Sequence, residues 1–267
     1  MITLTTILYE KNFKYHLKEN PWFRNFKSNY ITKKRLLINN LDSTQEFEDI
    51  LNDLYDPNEI ELVYVSDYAD EVINFFNLNI EEGDLGYNYT VPYFVNIHTC
   101  STPYFFNVSS DCCVDICVKD SFFEKSIRLL DQDNKYIVTS LPTEKDWSIH
   151  GYPSFTSWES EQIYGRGITC QGEWEQVNIP GFTKEQELED FWCSATFWDG
   201  VFVGHTQKLK EINYKECFGS NPIQAVAPYG GKGAFENRIA DYLMYNNVHR
   251  AMLKSKTQYA MHTNSAP

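Results

Sequence analysis

The first third of the chain alternates short β-prone runs with segments of helical spacing. Ile2–Leu8 is a β-branched run that reads as a strand, Lys34–Leu41 reads as a second ending at Asn39-Asn40, and Glu61–Val65 as a third ending in Ser66-Asp67. Residues 10–30, mixed and aromatic, read as helix and loop. Thr44–Tyr55 carries Phe47, Ile50, Leu51 and Leu54 at helical spacing, and Tyr68–Phe76 reads as a short helix. Strands that alternate with helices favour an open, largely parallel sheet covered on both faces. Further on, Tyr93–His98 and Tyr104–Val108 read as two more strands, Phe122–Leu130 as a helix and Lys135–Ser140 as a strand. Thr196–Val203 returns to strand character, and Ala234–Tyr245 is helical with Phe235, Ile239, Tyr242 and Leu243 on one face.

With 267 residues, 42% of them hydrophobic, the chain can bury one large core. No internal repeat or linker interrupts it, so a single domain over 1–267 is expected. The formal net charge of −14 argues against nucleic acid, which requires a basic surface to release counterions, and against anionic membrane surfaces. An acidic protein that binds phosphates must use a cation or a local Arg/Lys cluster. Cys112, Cys113 and Cys117 lie close together but have no second pair at zinc-finger spacing, which reads as reduced, partly buried thiols. The N-terminus lacks a basic region and a cleavage site, and no apolar run is long enough for a membrane span. The expectation is a soluble, cytoplasmic protein. Residues 142–190, rich in Trp, Gly, Pro and Glu with little periodicity, read as a long functional loop. Trp147, Trp158 and Trp174 there either line a sugar acceptor site or pin the loop.

Three stretches could carry chemistry. In Pro103–Asp111 an apolar strand stops at Ser109-Ser110 and then a carboxylate. In α/β enzymes ligands sit outside the carboxyl ends of the strands, where an acid can hold a divalent cation and the cation a diphosphate. Asp111 is equally well placed as a helix N-cap or a turn acid. Asp115 could reach the same site only if the chain turned helical after Asp111. The second stretch is Pro228–Arg238. Gly230, Gly231 and Gly233, with Lys232 among them, allow close backbone approach to a ligand, and the following helix aims free N–H groups back at the loop. Glu236, in the first turn, is either a dipole-favoured acid or a general base. The third is His262 near the C-terminus, a surface residue or a nitrogen ligand to a carboxylate-bound cation such as Mn²⁺.

This order of strand-end acid, Gly-rich loop, glutamate at a helix start and late histidine resembles glycosyltransferases of the GT-A fold, especially family 2-like members. The resemblance implies an α/β fold with a Rossmann-type central mixed, mostly parallel sheet flanked by helices. It implies a nucleotide-binding half (1–120) and an acceptor-binding half (121–267). It makes Asp111 the last acid of an Asp-x-Asp metal motif, Glu236 the base and His262 the C-terminal metal ligand. Thr5, Thr6, Asn39, Asn40, Asp67, Ser109 and Ser110 then take nucleotide-facing positions. Asp199, in Phe197–Val203, resembles an acid facing the acceptor or donor sugar, beside Gly230, Gly231, Lys232 and Gly233. Ser109 stands where the motif has its first acid, so the site is expected to lean on substrate phosphates and water.

What is expected is a transfer of sugar from a nucleotide sugar, a UDP-sugar in the first place, to an acceptor hydroxyl. Mn²⁺ or Mg²⁺ would assist and the anomeric centre would invert. Two alternatives stand beside it. A nucleotidyltransferase should carry a Gly-rich, Arg/Lys-containing loop after the first strand, and Thr5-Thr6-Ile7-Leu8 is followed by none. A non-catalytic nucleotide-sugar or carbohydrate-binding protein is favoured by the missing first acid.

Overall fold

The computed structural model describes residues 1–10, 12–19, 22–41, 44–54, 59–80, 86–114, 118–141, 143–145, 188–194, 197–217, 233–253, 255, 258 and 260–262. The strands are β1 (Ile2–Leu8), β2 (Ile31–Ile38), β3 (Ile60–Tyr64), β4 (Tyr104–Val108), β5 (Cys112–Val114), β6 (Tyr136–Ser140), β7 (Thr143–Lys145), β8 (Phe191–Ser194), β9 (Val201–His205), β10 (His249–Leu253) and β11 (Ala260–His262). The α-helices are α1 (Trp22–Asn25), α2 (Gln45–Leu54), α3 (Ala69–Phe75), α4 (Tyr87–Thr99), α5 (Asp120–Gln132), α6 (Thr206–Lys210) and α7 (Phe235–Tyr245).

Eight strands form the central sheet in the order β3-β2-β1-β4-β9-β6-β10-β8. β3, β2, β1 and β4 are parallel, β9 is antiparallel to both β4 and β6, β10 is parallel to β6, and β8 is antiparallel to β10. This is the expected mixed, mostly parallel sheet. The chain steps outward from β1 through β2 to β3 and then returns to the other side of β1 as β4. That reversal creates a crevice at the carboxyl ends of β1 and β4.

Both faces of the sheet are buried, as the near-continuous apolar strands require. Leu4, Leu36, Phe106 and Val203 belong to one core with Phe47, Phe122 and Phe123, while Ile7, Leu37, Phe105 and Phe202 belong to the other with Phe94, Phe235 and Ile239. Gly204 makes the β4–β9 contact possible, since a Cβ there would come within 2.6 Å of the Phe105 ring.

Several elements depart from the sequence reading. Tyr93–His98 is helix rather than strand, part of the 13-residue α4. Thr90 through Ile97 are all buried, so α4 shows no polar face and no helical period, and its β-branched and aromatic residues imitate a strand. The strand expected from Thr196 begins only at Val201. β10 and β11 were not expected, and neither was β5, which follows Asp111 directly, so the helical path that Asp115 needed is absent. β5, β11 and β7 form a second, three-stranded sheet. Asp115, residues 146–187 with Trp147, Trp158 and Trp174, and Gly230, Gly231 and Lys232 lie outside the described residues.

Candidate active site

β4 ends at Val108, and a tight turn in which the Cys112 N–H donates to the Ser109 carbonyl (3.0 Å) leads into β5. Asp111 is in this turn, so the turn-acid reading describes its backbone. Its Oδ1 accepts the Ser109 hydroxyl and, at 3.5 Å, the Cys112 thiol. Ser109 is therefore a donor to the carboxylate next to it.

The antiparallel register of β9 brings a second acid to the same place. Val201 pairs with Val108, so the residues just before β9 lie beside the end of β4. The Ser109 N–H donates to Gly200 O (2.7 Å) and Asn107 Nδ2 to Asp199 O (3.3 Å). Gly200 is also constrained by packing, because a Cβ there would strike the Trp198 ring at 2.0 Å.

The third acid arrives on α7. Phe235 stacks on Tyr93 with ring centroids 4.7 Å apart and meets Phe94 and Phe197 edge-on, which anchors the start of α7 against α4. Gly233 O accepts from Arg238 Nε (2.8 Å) and from the Thr90 hydroxyl (3.4 Å), closing the turn that precedes the helix. Glu236 follows in the first turn, of intermediate exposure. Its carboxyl is pushed well above the usual range by burial, then by the charges of Asp199 and Asp111. All three causes act in the same direction. Asp111 and Asp199, distant in sequence from α7, thus act on the Glu236 carboxyl and disfavour its ionisation.

The surrounding groups feel the same field. Burial, then Asp199, Tyr9 and Asp111, raise the Tyr93 phenol. Burial and the same two acids raise Tyr9, and burial with Asp111 foremost raises the Cys112 thiol. His16 lies in a π-helical turn (Tyr15–Glu19), is 1% exposed and is held below its ordinary pKa by burial. Trp22 Nε1 donates to its Nδ1 (3.3 Å), so Nε2 carries the proton and faces the Ser110 carbonyl. Tyr9, His16 and Tyr93 were not foreseen. Tyr9 has a positional signal, since it directly follows the first strand, whereas His16 lies in a stretch without pattern and Tyr93 in a misread strand.

The remaining expected positions lie in or just after β1, β2 and β3, and in β11. Thr5 and Thr6 are fully buried within β1, the Thr5 hydroxyl donating to Asn96 Oδ1 (3.1 Å) and the Thr6 hydroxyl to Val108 O (2.8 Å). Asn39 is buried at the end of β2, its Nδ2 donating to Asn88 O (2.8 Å). Asn40 is exposed with φ of 49°, a left-handed conformation that asparagine tolerates. Asp67 is exposed in a 3₁₀ turn after β3, at the edge of the sheet. β11 places His262 in backbone register opposite Cys112, one residue from Asp111.

Among the described residues, no group of three His, Cys, Asp or Glu side chains is arranged to hold a metal ion. The acids offer hard oxygen donors, the kind Mg²⁺ and Mn²⁺ accept, and both ions ordinarily keep water or phosphate oxygens in their shells. The residues fit such an ion only with oxygens from a substrate.

No protein-family model matches the sequence, and no curated protein matches it. Among solved structures, the apo form of mouse xyloside xylosyltransferase 1 is similar with a TM-score of 0.54 at 9% identity, over 100% of this chain and 99% of that one. S. aureus TarS in complex with UDP-GlcNAc gives 0.47 at 14% identity, over 99% and 59% of the two chains. Glucosyl-3-phosphoglycerate synthase from Mycobacterium tuberculosis, with Mn²⁺, UDP and glucosyl-3-phosphoglycerate, gives 0.46 at 10% identity, over 99% and 72%. The latter two superpose too loosely to bear on any assignment. The chain has the GT-A glycosyltransferase fold.

Proposed function

We propose that this chain transfers a sugar from a nucleotide sugar, with a UDP-sugar as donor, to an acceptor hydroxyl. The observation that carries this reading is the convergence of Asp111, Asp199 and Glu236 beside the carboxyl end of β4, with the Glu236 carboxyl raised by burial first and then by the charges of the other two. A carboxyl of raised pKa is a stronger base once ionised, and general bases work best with a pKa near the working pH. Glu236 takes the proton from the acceptor hydroxyl as that oxygen attacks the anomeric carbon. The bond to the diphosphate oxygen breaks on the opposite face, so the anomeric centre inverts. Asp199, whose main-chain carbonyl is held by the Asn107 side-chain amide, orients the sugar hydroxyls.

Asp111 and His262, together with phosphate oxygens of the donor, are the residues that would hold Mn²⁺ or Mg²⁺. The ion would supply positive charge to the departing diphosphate. Ser109 keeps the Asp111 carboxylate oriented by its hydrogen bond. Residues 1–120 form the donor half of this arrangement and residues 121–267 the acceptor half.

Calorimetric titration with UDP, with and without Mn²⁺, on the native chain and on Asp111→Ala tests the donor side. Binding strengthened by Mn²⁺ only when Asp111 is present supports the reading. Binding indifferent to both removes the cation from it. A hydrolysis screen over UDP-, GDP- and CMP-sugars tests turnover. Tight binding of a nucleotide sugar with no turnover would favour a non-catalytic binding protein, a reading in keeping with a serine at position 109.

A further inference from the structure

α4 contains a proline in its interior, Pro92, directly before Tyr93, whose ring stacks on Phe235 at the start of α7. Its consequence lies one helical turn back. In an α-helix the N–H of residue 92 would donate to the carbonyl of residue 88. Proline has no N–H, and its ring crowds that same carbonyl, which turns it away from the helix axis. Here the Asn88 carbonyl accepts instead from Asn39 Nδ2 at 2.8 Å and from the Tyr9 hydroxyl at 3.3 Å. Tyr9 follows β1 and Asn39 follows β2, so one main-chain oxygen ties the carboxyl ends of two parallel strands to α4.

We infer that Pro92 is a positioning residue. By withholding one N–H it dedicates the Asn88 carbonyl to Asn39 and Tyr9, and so fixes the wall of the crevice at which the nucleotide of the donor binds. This rests on the donor reading above, and it assigns that pocket a determinant that touches no ligand. A proline this far inside a helix is ordinarily unfavourable. α4 tolerates it because the carbonyl left over has partners elsewhere.

The test is Pro92→Ala, measured in two ways on the full chain. The first is a thermal-stability cycle with Asn39→Ala. In the native background, removing the Asn39 amide strips the Asn88 carbonyl of its shorter bond. In the Pro92→Ala background the new N–H serves that carbonyl, so Asn39→Ala should lower Tm by clearly less. Equal Tm losses in the two backgrounds overturn the inference, whatever the chain binds. The second is UDP affinity by calorimetry. Pro92→Ala should weaken it by about fivefold, one hydrogen bond's worth of preorganisation, while Tm holds or rises. A merely structural proline would instead move Tm and affinity together. Unchanged affinity in a variant that shows the stability coupling overturns the positioning role. If the native chain binds no UDP, GDP or CMP, the donor reading fails, and the positioning of a nucleotide fails with it, while the stability cycle still decides who owns the carbonyl.

Discussion

The wall made by Tyr9, Asn39 and Asn88 and the acidic site after β4 open on the same edge of the sheet, but their polar groups are treated in opposite ways. On the wall, the Tyr9 phenol and the Asn39 amide both donate to the Asn88 carbonyl inside the protein. In the acidic site, burial and the charges of Asp199 and Asp111 oppose the ionisation of Glu236. The first region is finished without a ligand. The second is left under electrostatic stress that a cation, or a proton taken from a substrate, relieves. Shape on one side and reactivity on the other follow from that difference.

The comparison breaks most visibly at Glu236. Glu236→Gln keeps the volume and removes the base, so transfer should fall by about 10²–10⁴-fold while UDP affinity stays within about twofold. Rates and calorimetry on the same preparation check it, and a variant with near-native turnover would move the base elsewhere. Asp111→Ala is expected to have the next largest effect. UDP affinity in Mn²⁺ should drop to the level found with a chelator, roughly tenfold or more, with little change when no cation is added.

Six strands of the central sheet, all but β8 and β10, were legible because buried strands leave apolar runs that stand out from amphipathic helices such as α5. α4 was not, because burial on every side erases the helical period. Asp111, Asp199 and Glu236 could each be singled out from a strand end, an aromatic-flanked strand segment and a helix start. What the sequence could not show is that they meet. That depends on β9 running antiparallel to β4, which no local pattern encodes, and on Phe235 stacking on Tyr93. Thr5 and Thr6 illustrate the opposite error. The resemblance turned them toward the nucleotide, yet their hydroxyls bond Asn96 and Val108.

Thr5 therefore offers the complementary test, in the region whose polar groups are already paired. Thr5→Val preserves shape but leaves Asn96 Oδ1 without its donor, in a helix residue that is fully buried. The expected cost is about 1–3 kcal/mol of stability, read by denaturant unfolding. UDP affinity and turnover should be nearly unchanged. A large loss of affinity at constant stability would show that the Thr5 hydroxyl serves the ligand after all.

The smallest effect is also the most direct measure of stress in the acidic site. The native Glu236 carboxyl titrates well above its ordinary 4.5 because of burial and the charges of Asp199 and Asp111. Between the unfolded and folded values the native state holds more protons than the unfolded state. Stability from this group is then fully present below about pH 4.5 and is lost as pH rises through the raised native value. His16 acts with the other sign: its lowered native pKa makes stability rise with pH up to about 6.5. Native chain alone would mix the two slopes, so the comparison is with Glu236→Gln, which keeps His16 and cannot ionise at 236. In a chelator, the Tm difference between variant and native should grow in the variant's favour from about pH 5 to pH 8. Parallel profiles would mean that the Glu236 carboxyl is not held above its ordinary range. If Mn²⁺ with UDP closes the gap by stabilising only the native chain at high pH, the stress sits where the cation does, and the contrast with the paired wall becomes a division of labour between binding and chemistry.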